Sequence, residues 1–107
     1  MSDTLDRVRM LVGRGEVEFS VHGQEELEAD EIDPREVING VTNAVVVEDY
    51  PDYWKGPAVL VLKRDTIGNA VHVVWGIERG TEGPAIVVTA YRPTPERWTD
   101  DFLRRRP

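Results

Sequence analysis

The change of period at Ala44 constrains this chain more than any other feature of its sequence. Before it, apolar side chains recur at helical spacing; after it, they come in short blocks rich in β-branched residues. Leu5, Val8, Leu11 and Val12 form a stripe between charged neighbours that stops at Gly13 and Gly15, which predicts a first amphipathic helix. Ser20 is placed to cap a second, with Gln24 and Glu25 near the reciprocal position and His22 in its first turn. Asp33-Pro34-Arg35-Glu36 opens a third: Asp33 caps, Pro34 sits where its missing amide costs nothing, and Glu36 follows three residues after the cap. Val37, Ile38 and Val41 form the buried stripe of that helix, and Asn43 is a candidate left-handed stop. The segment EVEFS, Glu16 to Ser20, alternates polar with apolar and reads as a small strand or an extended lead into the second helix.

Four blocks follow, AVVVEDY, PAVLVLKR, AVHVVWGIE and PAIVVTAYR, bounded by Pro51-Asp52, Gly56-Pro57, Gly68-Asn69 and Gly80 to Pro84. Consecutive strands on short connections predict an antiparallel meander. Pro93 breaks the last strand, and Pro95 can open a short closing helix through Trp98 and Phe102. The expected architecture is α+β, a single domain over residues 1–107 with N-terminal helices on a four-stranded antiparallel sheet and a short C-terminal helix.

With 40% hydrophobic and 31% charged residues, the composition is that of a globule rather than a membrane-spanning or disordered chain. There are no cysteines, which excludes a disulfide framework, a thiolate nucleophile and Cys-ligated zinc. The opening residues MSDTLDRVRM contain no apolar signal region, so a cytoplasmic protein without membrane contact is expected. The formal net charge of −7 argues against broad polyanion binding, but it is unevenly spread. Residues 1–52 carry 14 acids and 4 bases, a balance of −10, whereas residues 53–107 carry 6 acids and 9 bases, a balance of +3. A local cationic patch in the second half is compatible with RNA; the acids either solvate helix faces or meet a basic partner.

Two histidines carry the only side chains that titrate near neutral pH without perturbation. His22, at a helix start, suits an anionic ligand or a surface pair with Glu25 and Glu26. His72, inside AVHVVW, is either a core histidine bonded to a neighbouring element or an acid–base group. Tyr91 and Arg92 close the last strand, where a phenol and a guanidinium can hold a phosphate, and Arg64 adds to the cationic half. Trp75 and Trp98 read as core residues and Trp54, in the loop DYWKG, as exposed. The absence of HExxH, DxD or EF-hand spacing leads us to expect no metal and no cofactor.

In their order and spacing, Phe19-Ser20-Val21-His22, Ile32-Asp33-Pro34-Arg35-Glu36-Val37, Val47-Glu48-Asp49-Tyr50-Pro51, Ala70-Val71-His72-Val73-Val74 and Thr89 to Trp98 resemble the bacterial family called domain of unknown function 4258. The resemblance runs from about Leu5 to Arg104. That family is similar to the RelE-like branch of the barnase, EndoU, colicin and RelE superfamily, which implies a metal-independent endoribonuclease, often the toxin of a toxin–antitoxin pair. On that resemblance His22, His72 and Tyr91 are the catalytic candidates, Arg92 and Arg64 the phosphate contacts, and RNA or the ribosome and an antitoxin the partners. The chain departs from the family after the first histidine, where Gly23 leads into Gln24-Glu25-Glu26-Leu27-Glu28-Ala29-Asp30-Glu31 instead of an Arg-rich helix. That acidic helix motivates a second expectation, a non-catalytic module that binds a basic protein.

Overall fold

The computed structural model describes residues 2–107. Helix α1, Asp3–Gly13, starts where the Ser2 hydroxyl accepts from the Leu5 amide at 3.1 Å. Strand β1, Val17–Phe19, leads into α2, Val21–Ala29, and then α3, Pro34–Asn39, each capped by the residue the sequence nominated: Ser20 accepts from Gly23 and Asp33 from Arg35. A single 3-10 turn, Gly40–Asn43, joins α3 to the sheet. Asn43 is not the left-handed stop expected of it; the positive-φ non-glycine residues among those described are Glu31 and Phe102. Strands β2 (Val45–Tyr50), β3 (Ala58–Arg64), β4 (Ala70–Ile77) and β5 (Ala85–Tyr91) form the expected meander.

The sheet has five strands rather than four and is mixed rather than antiparallel, in the order β1-β5-β4-β3-β2. β1 pairs parallel with β5, Val17 opposite Ala85 and Phe19 opposite Val87. Its alternation is only three residues long, so its membership is decided by a partner far along the chain and not by local propensity. Where β1 ends, α2 takes over the edge of β5. The Ser20 amide donates to the Val87 carbonyl at 3.0 Å and its hydroxyl to Val88 at 2.8 Å. A Cβ on Gly23 would lie 2.6 Å from the Val87 carbonyl oxygen, so this close approach requires glycine.

One face of the sheet carries the main core. Val59, Val61, Val71, Val73, Trp75, Ile77, Ala85 and Val87 bury against Leu5, Val8 and Leu11 of α1, Leu27 of α2 and Val37 of α3. Arg9 fastens α1 to the 3-10 turn through the carbonyls of Val41 and Ala44, at 3.0 and 2.9 Å. Since side chains alternate across a strand, Leu60, Leu62, His72 and Val74 point to the opposite, helix-free face.

No closing helix covers that face. After Pro95 one turn forms, with Trp98 donating to the Thr94 carbonyl at 3.1 Å, and the chain then doubles back so that Trp98 and Arg105 form an antiparallel bridge. Asp101 stops the helix: its carboxylate accepts from the Leu103 amide at 3.0 Å and the Thr99 hydroxyl at 2.6 Å, closing a loop that places Phe102 at φ 60°. The loop lays Trp98 onto His72, and Trp75 and Trp98 are buried while Trp54 is exposed. None of the described helices is long and apolar enough to cross a membrane.

Gly56, in the connection between β2 and β3, has φ 131°, and a Cβ there would stand 2.0 Å from the Ile77 carbonyl oxygen and 2.6 Å from the Arg79 amide nitrogen. Gly56→Ala should therefore destabilise the fold by about 2 kcal/mol or more, since neither backbone group can yield without parting β3 from β4. Urea unfolding checks this; an unchanged midpoint would refute it.

A tyrosine, histidine and arginine seam on the helix-free face

Pairing register aligns the polar groups of the helix-free face. Leu62, His72 and Tyr91 stand in one row across β3, β4 and β5, and Glu48 stands in the next row opposite Leu60. Tyr50 follows Glu48 by two residues and so shares its face. The C-terminal loop adds Trp98, the Phe102 carbonyl and Arg105.

His72 is fully buried, yet both ring nitrogens are satisfied. Nε2 lies 2.8 Å from the Phe102 carbonyl oxygen, and because a carbonyl only accepts, Nε2 carries the proton. Nδ1 is then an acceptor, and the Tyr91 hydroxyl donates to it at 3.2 Å. The Trp98 ring meets His72 edge-on, with centroids 4.4 Å apart and planes at 90°. Burial pushes the His72 pKa below its ordinary value; the Phe102 carbonyl and Glu48 oppose this, and the Arg105 charge reinforces it. Tyr91 is half-buried, and burial raises its phenol above the usual range.

Beside this pair Arg105 grips Glu48 with two bonds, Nε to Oε2 at 2.7 Å and Nη2 to Oε1 at 3.0 Å. The guanidinium also lies over Trp98, 4.8 Å from the ring centroid. Glu48 accepts in addition from the Tyr50 hydroxyl. The Arg105 bonds hold the Glu48 carboxyl below the usual carboxylate range against the opposing effect of burial. Tyr50 further lines an apolar groove of about 450 Å³ on the uncovered part of the same face, with Ala58, Val74, Gly76, Ile86 and Val88.

The structure thus brings His72 and Tyr91 together and leaves other sequence candidates outside the pair. His22 is exposed at the start of α2, with Nε2 3.8 Å from Glu26. Its helix is anchored at Val87 and Val88, about 10 Å of strand from Tyr91. Arg92 is committed to the framework: its amide donates to the Asp30 carboxylate at 2.9 Å, its Nε to the Asp30 carbonyl at 3.3 Å and its Nη1 to Asp65 at 3.0 Å. Those bonds clasp the end of α2 to the β3–β4 connection. Arg64 stacks over Phe102, 5.7 Å from its centroid, at the rim of the face. Among the described residues no three His, Asp or Glu side chains converge in a way that could hold a metal ion.

Glu48 and Tyr50 enter the sequence reading only as part of the segment Val47 to Pro51, and sequence assigns Arg105 no role. The spacing of Glu48 and Tyr50, two apart in a strand, is the one local sign that they share a face. Arg105 is indistinguishable in sequence from Arg104 and Arg106, and only the loop selects it.

These features define a small α+β domain with one polar centre on a sheet face that no helix covers. The family model described as "Domain of unknown function (DUF4258)" matches residues 19–92, and the chain belongs to that family. The matched span includes His22, Glu48, His72, Tyr91 and Arg92 and stops short of the loop that supplies Trp98, Phe102 and Arg105. No curated protein and no solved structure matches the chain.

The His72 geometry has a spectroscopic consequence. Side-chain nitrogen NMR should show the neutral Nε2-protonated tautomer at pH 7 and a titration midpoint below 6.5. Because the unfolded ring takes up a proton near pH 6.5 and the folded ring resists it, acidification below that pH should also remove stability. A midpoint above 6.5, or an Nδ1-protonated ring, would contradict the assignment.

Proposed function

We propose that this domain is a RelE-like endoribonuclease of toxin type, acting on RNA without a metal and held in check by an antitoxin. The observation that supports this most is the half-buried Tyr91 hydroxyl bonded to a fully buried, neutral His72 whose tautomer the Phe102 carbonyl fixes. In that arrangement Tyr91 meets the ribose 2′-hydroxyl, takes its proton and passes its own to His72 Nδ1. The Phe102 carbonyl, bonded to Nε2–H, stabilises the imidazolium that forms. The 2′-oxygen attacks the adjacent phosphorus, the P–O5′ bond breaks, the leaving oxygen takes a proton from water, and the hydroxide so formed recovers the proton from His72 through Tyr91. His72 thus works through Tyr91 and needs no opening to solvent.

Purified protein should cleave single-stranded or ribosome-bound RNA in the presence of a chelator, leaving 2′,3′-cyclic phosphate ends. Tyr91→Phe and His72→Ala should each slow cleavage on the order of a hundredfold, the size of a lost acid–base group. Intact RNA at high protein concentration, with ribosomes and without, would refute the proposal.

A second reading rests on α2. Glu25, Glu28 and Glu31 are exposed there or just after it, Glu26 and Asp30 are half-buried, and the helix contains no Lys or Arg. Such a face suits a basic protein surface. Reversing Glu25, Glu26 and Glu28 to lysine should abolish salt-sensitive binding to a basic partner while leaving RNA cleavage in place; unchanged binding would remove this reading.

A further inference from the structure

Phosphodiester cleavage through a pentavalent transition state needs a cation where negative charge accumulates. The two arginines that the sequence nominated are poorly placed for it. Arg92 is bonded to Asp30 and to Asp65, a carboxylate only 6% exposed, so releasing its guanidinium would leave a buried charge unpaired. Arg64 stacks on Phe102 and donates to the Gly68 carbonyl at 3.3 Å.

We propose that Arg105 is the phosphate-binding residue of the seam and that Glu48 positions it, an assignment that rests on the nuclease reading and extends it. A guanidinium has five N–H donors in two forked edges. Glu48 occupies one edge, using Nε and one Nη2 hydrogen. The other edge, Nη1 with the second Nη2 hydrogen, meets no second carboxylate among the described residues; the neutral Tyr50 hydroxyl, itself bonded to Glu48, stands beside the guanidinium, and the Arg105 side chain is 62% exposed. Trp98 supports its plane at 4.8 Å, so the open fork is held in one orientation before any ligand arrives.

Trp98 also connects this fork to the reacting pair, because the ring that carries Arg105 is the one against which His72 rests. The Arg105 charge is felt at both His72 and Tyr91, which places all three within one electrostatic neighbourhood. The neighbouring arginines differ in kind. Arg106 is bonded to the Pro95 carbonyl at 2.6 Å and to Asp100 at 2.9 Å, on the other side of the loop. Glu48 sets the limits of the site: it fixes the fork, and its charge opposes the incoming phosphate, so the resting affinity for anions is modest.

The test is a titration of the full chain with inorganic phosphate and with uridine 3′-monophosphate, read by the Trp98 indole N–H and the arginine Nε–H resonances. Arg105→Ala should weaken binding of both probes about tenfold, and Arg105→Lys, which keeps the charge and loses the fork, at least about threefold. Arg104→Ala, the same charge change one residue away, should stay within about twofold of wild type. Glu48→Gln, which replaces one of the two acceptor oxygens with an amide donor, should release the fork and shift or broaden the Arg105 Nε–H resonance, the sign that Glu48 positions it. Equal binding by wild type and both Arg105 variants, an Arg105 Nε–H resonance unmoved by Glu48→Gln, or no binding of either probe to wild type would each overturn the assignment. If the variants behave as expected and RNA stays intact, the nuclease reading fails and the anion site stands. If Arg105→Ala cleaves RNA at the wild-type rate, the anion assignment fails and the nuclease reading stands.

Discussion

A histidine buried in the middle of a sheet has to find partners for two ring nitrogens, and in this protein that requirement organises the whole helix-free face. An unsatisfied buried polar group costs about 1–3 kcal/mol. Tyr91, its register partner on β5, meets one nitrogen, and the Phe102 carbonyl meets the other. The second bond can form only if the C-terminal segment folds back across the strands. That return carries Trp98 onto the imidazole and Arg105 onto Glu48, so the loop that satisfies His72 also completes the polar seam.

The helical layer serves the same seam from behind. Val71, Val73 and Trp75 on β4 are locked into the main core, which fixes the strand that presents His72 on its other face. Ser20 and Gly23 press α2 against the edge of β5, and the Arg92 clasp holds the end of that helix to the turn between β3 and β4. Arg92 is in this sense a framework residue, and the side chain next to it, Tyr91, is the one that faces the seam.

Much of the architecture was legible because it rests on local chemistry. Caps at Ser20 and Asp33, the amphipathic stripe of α1 and the β-branched blocks of β2 to β5 each depend on residues a few positions apart. The expectations fall short where distant segments decide. The small strand legible at EVEFS becomes the fifth, parallel member of the sheet because Val87 lies 68 residues downstream to receive Phe19, and the closing segment is a loop because Asp101 offers its amides and hydroxyls a non-helical alternative. Of the candidate site, His72 and Tyr91 proved to be one unit, since strand register places them opposite each other. His22 and Arg92 were nominated by their places at a helix start and a strand end and by the family resemblance, none of which says which counter-charge a side chain will meet.

By itself the sequence determined the α+β class, the order of helices before strands, and the chemistry on offer: two histidines, no cysteine, acids gathered in the first half and arginines in the second. Tertiary structure alone decided which arginine stands beside the histidine. Arg104, Arg105 and Arg106 are chemically identical and adjacent, and only the bridge from Trp98 to Arg105, which sets the direction of each side chain, turns one of them toward Glu48 and the seam. Period and propensity act over neighbouring residues. Pairing across a sheet is settled by long-range contacts that a local pattern does not encode.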